Sequence, residues 1–177
     1  IGNRILRHYR AAAAALMRDG IGPADIDAAM RGFGLAMGPF EMQDLAGLDI
    51  SFLHREAARA RGEDVPETPG DILVRAGRKG QKTGGGWYDY APGDRTPRPS
   101  DAVARLIAPL CAPPRDLPGP EIARLLVAAM AAEGQHILDE GIAASAADID
   151  LVEVHGYGFP RAKGGPMFLA AREGQGA

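Results

Sequence analysis

The chain has 177 residues, 46% of them apolar, and a formal net charge of -3. That supports a packed core and argues against a nucleic-acid binder, which usually carries a basic excess. A single cysteine, Cys111, excludes an internal disulfide, and the run "AAAAALM" is too short to cross a bilayer.

The opening "IGNRILRHYR" is interrupted by charge at once and does not read as a signal peptide. It starts with Ile and enters a helical pattern by the third residue, so a piece of a longer chain is expected. Ile5, Tyr9, Ala12, Ala13, Leu16 and Met17 recur at steps of three and four, which predicts a helix from about residue 3 to 18. Gly20 is its expected stop. Pro23 suits a first helical turn, with Asp25 and Asp27 near the positive end of a short helix that Gly32 should end. "GFGLAMGPF" is too punctuated for a helix interior, and Pro39 can open the next helix. Leu45, Leu48, Phe52 and Leu53 give that helix an apolar face, with a bend possible at Gly47.

"TPGD" carries a capping signature: Thr68 as cap, Pro69 next, Asp71 three beyond. Gly77 should close the short helix that follows. "GRKGQKTGGGWYDY" reads as a tight or mobile glycine loop, then a short extended piece bearing Trp87, Tyr88 and Tyr90. "APGDRTPRPS" is a linker by composition, and Ser100 is a candidate cap for "DAVARLIAPL". From Pro120, Ile122, Leu125, Leu126, Ala129, Met130 and Ile137 mark a longer helix that Gly141 should stop. "SAAD" then offers a second capping box through Ser145 and Asp148. A short helix and a loose end close the chain.

Several of these signals occur twice in the same order. An amphipathic helix, "GI", "ADID", a G-aromatic-G triplet and "GP" appear early and again late. Ala24–Asp27 and Ala147–Asp150 are offset by 123, Gly32 and Gly156 by 124, Gly38 and Gly165 by 127. We read a repeated helical unit, each copy burying one apolar face against the other or against a further domain. The expected division is 1–95 for the first unit, 96–119 for a linker with a short helix, and 120–177 for a partial second unit.

Chemical motifs are sparse. His8, His54, His136 and His155 lie far apart without liganding company, so no metal site is expected. His8 reads as a surface or partly buried residue, and Cys111 as a small buried hydrophobe. Neither glycine loop matches a dinucleotide or phosphate-loop signature. Arg78, Lys79 and Lys82 could reach an anion such as a phosphate, although plain solvation is the commoner role. Asn3 is either a helix cap or an amide donor facing a site completed by preceding sequence.

"GNRIL" at Gly2 and "GIGPADIDAAMRGFGLAMGPFEMQDLAGLDI" closely resemble the C-terminal domain of L-3-hydroxyacyl-CoA dehydrogenases. "GRKGQKTGGGWYDY" resembles that family's closing loop, and "GFPRAKGGPMF" the doubled C-terminal region of multifunctional fatty-oxidation enzymes with a fused enoyl-CoA hydratase. The resemblance spans nearly the whole chain except about residues 91 to 120. It implies an all-α fold of two related helical units, of the 6-phosphogluconate dehydrogenase C-terminal-like type. It also implies a parent enzyme whose N-terminal Rossmann domain binds NAD and carries a catalytic His–Glu pair. This chain has no matching pair and no Rossmann fingerprint, so inactivity in isolation and no cofactor of its own are the expectations. The family's motif asparagine falls on Asn3, implied to hold the substrate or the catalytic His. Lys79 and Lys82 are the substrate-binding candidates. Acyl-CoA, the upstream domain and a second copy in a homodimer are the implied partners, without nucleic acid or membrane, in the cytoplasm. One departure is an alanine within "YRAAAAAL" where relatives often carry Glu. The alternative reading is a non-catalytic helical dimerisation module.

Overall fold

Ile5, Tyr9, Ala13, Leu16 and Met17 are all buried on one side of the first helix, the face that the sequence spacing marks out. The computed structural model describes residues 1–174. Among them are three short 3-10 turns and nine α-helices: α1 (Gly2–Arg18), α2 (Pro23–Phe33), α3 (Pro39–Ala46), α4 (Leu48–Ala60), α5 (Pro69–Arg75), α6 (Asp101–Ile107), α7 (Gly119–Asp139), α8 (Ala146–Gly156) and α9 (Pro166–Gly174). The fold is all-α, as expected. The expected loose end lies partly outside the described residues.

Most predicted boundaries hold, with physical reasons for the exceptions. α2 runs through Gly32 to Phe33 because Gly34, not Gly32, takes the positive φ that ends the turn. Gly47 does more than bend a helix. Its φ of 98° separates α3 from α4 outright. The aromatic piece after the glycine loop forms only isolated bridges, Gly80 with Gly85, Gly85 with Asp89 and Asp89 with Arg98, rather than a strand. Ser100 stands at the start of α6, but its side chain accepts no capping hydrogen bond. Cys111 is half-buried rather than buried, and burial raises its thiol pKa.

The helices gather into two compact units. Among the described residues, one contains 1–17, 25–39 and the stretch from 116 on, and the other 18–24 and 40–115. In the first, α7, α8 and α9 pack on one another. In the second, α5 packs on both α4 and α6. There the Thr68 capping box forms as predicted: Asp71 N–H donates to the Thr68 hydroxyl and the Asp71 carboxylate accepts from Thr68 N–H. Asp71 is fully buried and also accepts from Arg55 at 2.8 Å and Arg59 at 2.9 Å. Burial alone pushes its carboxyl up, but the two guanidinium groups outweigh that and hold it below the usual range.

Positions paired by the sequence offsets of the two motif series are buried alike. Gly20 and Gly141, 121 positions apart, both take the left-handed conformation just past α1 and α7. The same offset pairs Ile5 with Leu126, Tyr9 with Met130 and Leu16 with Ile137, all buried. An offset of 123 pairs Ile26 with Ile149, both fully buried. After each "ADID" a glycine is pressed against its last Asp. A Cβ on Gly38 would collide with Asp27, and one on Gly165 with Asp150. The Asp150 carboxylate caps α9, accepting from Met167 N–H at 2.9 Å and Phe168 N–H at 3.0 Å.

Candidate functional site

Asn3 lies in the first turn of α1 and is exposed. It therefore does not serve as the cap of that helix. Its Oδ1 accepts a hydrogen bond from the Tyr157 hydroxyl at 2.8 Å. Tyr157 follows α8 directly, and its ring fills the space beside the fully helical Gly2, where any Cβ would overlap it. Gly2 is therefore required for the close approach that brings the hydroxyl to Asn3. With Oδ1 taken, the two N–H groups of the Asn3 amide are directed elsewhere and can serve as donors.

One turn before Tyr157, Glu153 is 1% exposed, and its Oε1 has no hydrogen-bond partner. Burial raises its carboxyl pKa to about 7. The equivalent residue of the first copy is Met30, equally buried. Packing alone is thus satisfied by an apolar side chain at this position, and the carboxyl is an addition.

Behind Asn3, Arg4 donates to Glu133 and, at 2.5 and 2.7 Å, to Glu140. Glu133 is 3% exposed and also meets His8 Nε2 at 3.1 Å and His136 Nδ1 at 3.5 Å. Burial pushes its carboxyl up, yet Arg4 and the neighbouring imidazoles hold it low. His8 is half-exposed and also bonds the Arg4 carbonyl through Nδ1, which agrees with the partly buried role expected for it. Among the described residues no group of His, Cys, Asp and Glu has metal-binding geometry. Neither the Tyr157–Asn3 pair nor the Glu133 cluster was foreseen from sequence. Glu133 had a signal, since a charge on the buried face of α7 breaks the apolar pattern. Tyr157 had one only in its alignment with Phe33 across the repeat.

The other unit carries the remaining candidates. Lys79 is exposed, and its backbone carbonyl accepts from Leu48 N–H. Lys82 forms an ion pair with Asp49 at 2.6 Å and keeps half its side chain exposed. Arg78 is spent internally: it donates to the carbonyls of Gly86 and Tyr88 and to Asp89. The loop is wound around Asp44, whose buried carboxylate accepts from Trp87 N–H, Tyr88 N–H and the Tyr90 hydroxyl. Burial lifts the Asp44 pKa to about 6, against the pull of these donors. Trp87 and Tyr88 are core residues, and Trp87 stacks edge-on against Phe40 at 4.8 Å. Asn3 and the two lysines thus belong to different units.

The glycine turns have an internal use. Gly80 and Gly86 close on Asp44, and Gly165 on Asp150, so the space beside each glycine is filled by the protein's own backbone or carboxylate. A carboxylate in a glycine turn repels the pyrophosphate that such turns hold in dinucleotide sites. These three turns therefore offer no seat for a pyrophosphate. No described helix is long and apolar enough to cross a membrane.

The comparisons agree with this architecture. Peroxisomal bifunctional enzymes from Danio rerio and Cavia porcellus are 40% and 41% identical to the chain over 98% of its length. The chain spans about a quarter of these relatives, 27% and 26% respectively. The dehydrogenase part of multifunctional enzyme 1 from C. elegans shares the fold with a TM-score of 0.70 at 23% identity, over 89% of this chain and 36% of that one. Escherichia coli K12 3-hydroxybutyryl-CoA dehydrogenase shares it with a TM-score of 0.66 at 24% identity, over 97% and 52%. The family model described as 3-hydroxyacyl-CoA dehydrogenase, C-terminal domain, matches residues 1–90. The chain belongs to the 3-hydroxyacyl-CoA dehydrogenase C-terminal domain family.

Proposed function

We propose that this chain is the substrate-side helical portion of an NAD-dependent L-3-hydroxyacyl-CoA dehydrogenase acting in fatty-acid β-oxidation. The observation that carries the reading is the family match over residues 1–90 together with Asn3, exposed at the start of α1 with its amide donors free to face a reacting group. In this reading a preceding Rossmann domain binds NAD, which accepts the hydride, and supplies the proton-handling His–Glu pair. Asn3 orients the substrate or that His. Lys79 and Lys82 offer cations to the phosphates of acyl-CoA, with Asp49 as the counter-ion Lys82 exchanges. The copies run over 1–95 and 120–177, joined by 96–119. The compartment is cytoplasmic in our reading, and the lone cysteine fits a reducing environment; the vertebrate relatives carry "peroxisomal" in their names.

The test compares this chain alone with the full-length protein that carries it, using acetoacetyl-CoA and NADH. Turnover by the full-length protein and none by residues 1–177 is expected. Robust turnover by the isolated chain overturns the division of labour. A second reading, a helical homodimerisation module without catalytic part, is favoured by Leu45, Ile50 and Leu53, large apolar residues 51 to 61% exposed on α3 and α4. Sedimentation with and without acyl-CoA separates the two: a dimer indifferent to ligand supports the module.

A further inference from the structure

We infer that Tyr157 is a positioning residue of the Asn3 site, so that the second copy completes a site the first copy only begins. The inference rests on the catalytic reading of Asn3 given above.

The geometry makes the argument. The Tyr157 hydroxyl lies 2.8 Å from Asn3 Oδ1, across 154 residues of sequence. An exposed asparagine side chain otherwise rotates freely and can present either its oxygen or its nitrogen. A donor hydroxyl fixed on the oxygen selects the state in which both N–H groups point away. The hydroxyl is itself fixed, because the ring is lodged against Gly2 and the chain on either side of it is tied to α8: the N–H groups of Tyr157 and Phe159 both donate to the Glu153 carbonyl.

The repeat supplies an internal control. In the first copy the residue aligned with Tyr157 is Phe33, between Gly32 and Gly34 as Tyr157 is between Gly156 and Gly158. In the second copy the residue aligned with Asn3 is Arg124. Phe33 and Arg124 line one half-open groove of about 820 Å³, and Phe33 meets Phe159 edge-on at 5.6 Å and Lys163 Nζ at 4.6 Å from its ring centre. Both places thus hold an aromatic ring. It has a hydroxyl only where an amide stands opposite. A purely structural Tyr157 leaves that pairing unexplained.

The experiment is a double-mutant cycle in the full-length protein, following kcat and KM for 3-hydroxyacyl-CoA oxidation with melting temperature as a folding control. Tyr157→Phe keeps the ring, in the form the first copy already uses, so the variant is expected to fold. Loss of one orienting hydrogen bond should lower kcat about three- to tenfold with little change in melting temperature. In an Asn3→Ala background the same substitution should have almost no further effect. Asn3→Ala that lowers kcat while Tyr157→Phe does not overturns this inference alone. So does a Tyr157→Phe effect that persists in full beside Asn3→Ala. If Asn3→Ala itself leaves kcat unchanged, the catalytic reading of Asn3 fails and takes this inference with it.

Discussion

The turn at Gly38–Pro39 and the turn at Gly165–Pro166 each hold a glycine against the aspartate of an "ADID" sequence and start a helix at the proline. Ahead of them the copies part. Phe33 faces a groove shared with Arg124, whereas Tyr157 bonds Asn3. Met30 is matched by the buried carboxyl of Glu153, and Ala12 by Glu133, which takes Arg4. What the copies keep are backbone devices that the fold cannot do without. What they change are side chains around the start of α1. If the two motif series are read as a repeat, they share turns and differ in the side chains around the start of α1.

The largest effect should come from the shared device. Gly38→Ala forces a methyl group into the fully buried Asp27 and should cost about 3 kcal/mol of stability. Gly165→Ala meets Asp150, whose carboxylate is held by the N–H groups of Met167 and Phe168, and also puts a side chain on a backbone φ of 134°, so it should cost at least as much. Urea denaturation of the two variants measures both losses, and a variant that keeps its full stability contradicts this account of its turn.

The next largest contrast concerns Arg4 and Glu133. In the opposite direction across the repeat their counterparts are Leu125 and Ala12, an apolar pair. Arg4→Leu strands the Glu133 carboxylate against partly exposed histidines and should lower the melting temperature. Adding Glu133→Ala should recover most of the loss, because removing both charges is far cheaper than removing one. A double variant no more stable than Arg4→Leu contradicts this view of the cluster.

Glu153 makes a pH-dependent prediction. Its pKa is raised from 4.5 to about 7 by burial, so the folded state holds its proton more tightly than the unfolded state. The associated stability is present in full below pH 4.5 and is lost as pH rises through about 7. Glu153→Met, which installs the first copy's residue, should therefore stabilise the protein by roughly 1–3 kcal/mol at pH 8 and flatten that window. Melting curves at pH 5, 6, 7 and 8 test it, and a Glu153→Met variant that loses stability at pH 8 counts against it. The smallest effect should be that of Phe33→Tyr, within about 0.5 kcal/mol, since no amide awaits its hydroxyl.

Local signals were legible in the sequence wherever the chain speaks to its near neighbours. Thr68 and Asp71 are three residues apart and formed the box that their spacing predicts. Apolar periodicity located α1 and α7, and glycine and proline bounded most of the shorter helices. Ser100 shows the limit: the residue type was right, but its hydroxyl takes no capping bond, and composition does not encode rotamer. Trp87 and Tyr88 are ordered by Asp44, more than forty residues away, and nothing in the loop's own sequence names that partner. The candidate site was legible only in part. Asn3 was marked by its place at the start of α1 and by the family resemblance, while its partner Tyr157 lies at the far end of the chain and needs the fold to bring it near.

The most direct measurement is kcat for 3-hydroxyacyl-CoA oxidation by the full-length protein with Asn3→Ala. A fall of at least about tenfold, with melting temperature unchanged, is the predicted result. A variant that turns over substrate as fast as the parent contradicts the account, because the exposed start of α1 would then contribute structure and no chemistry.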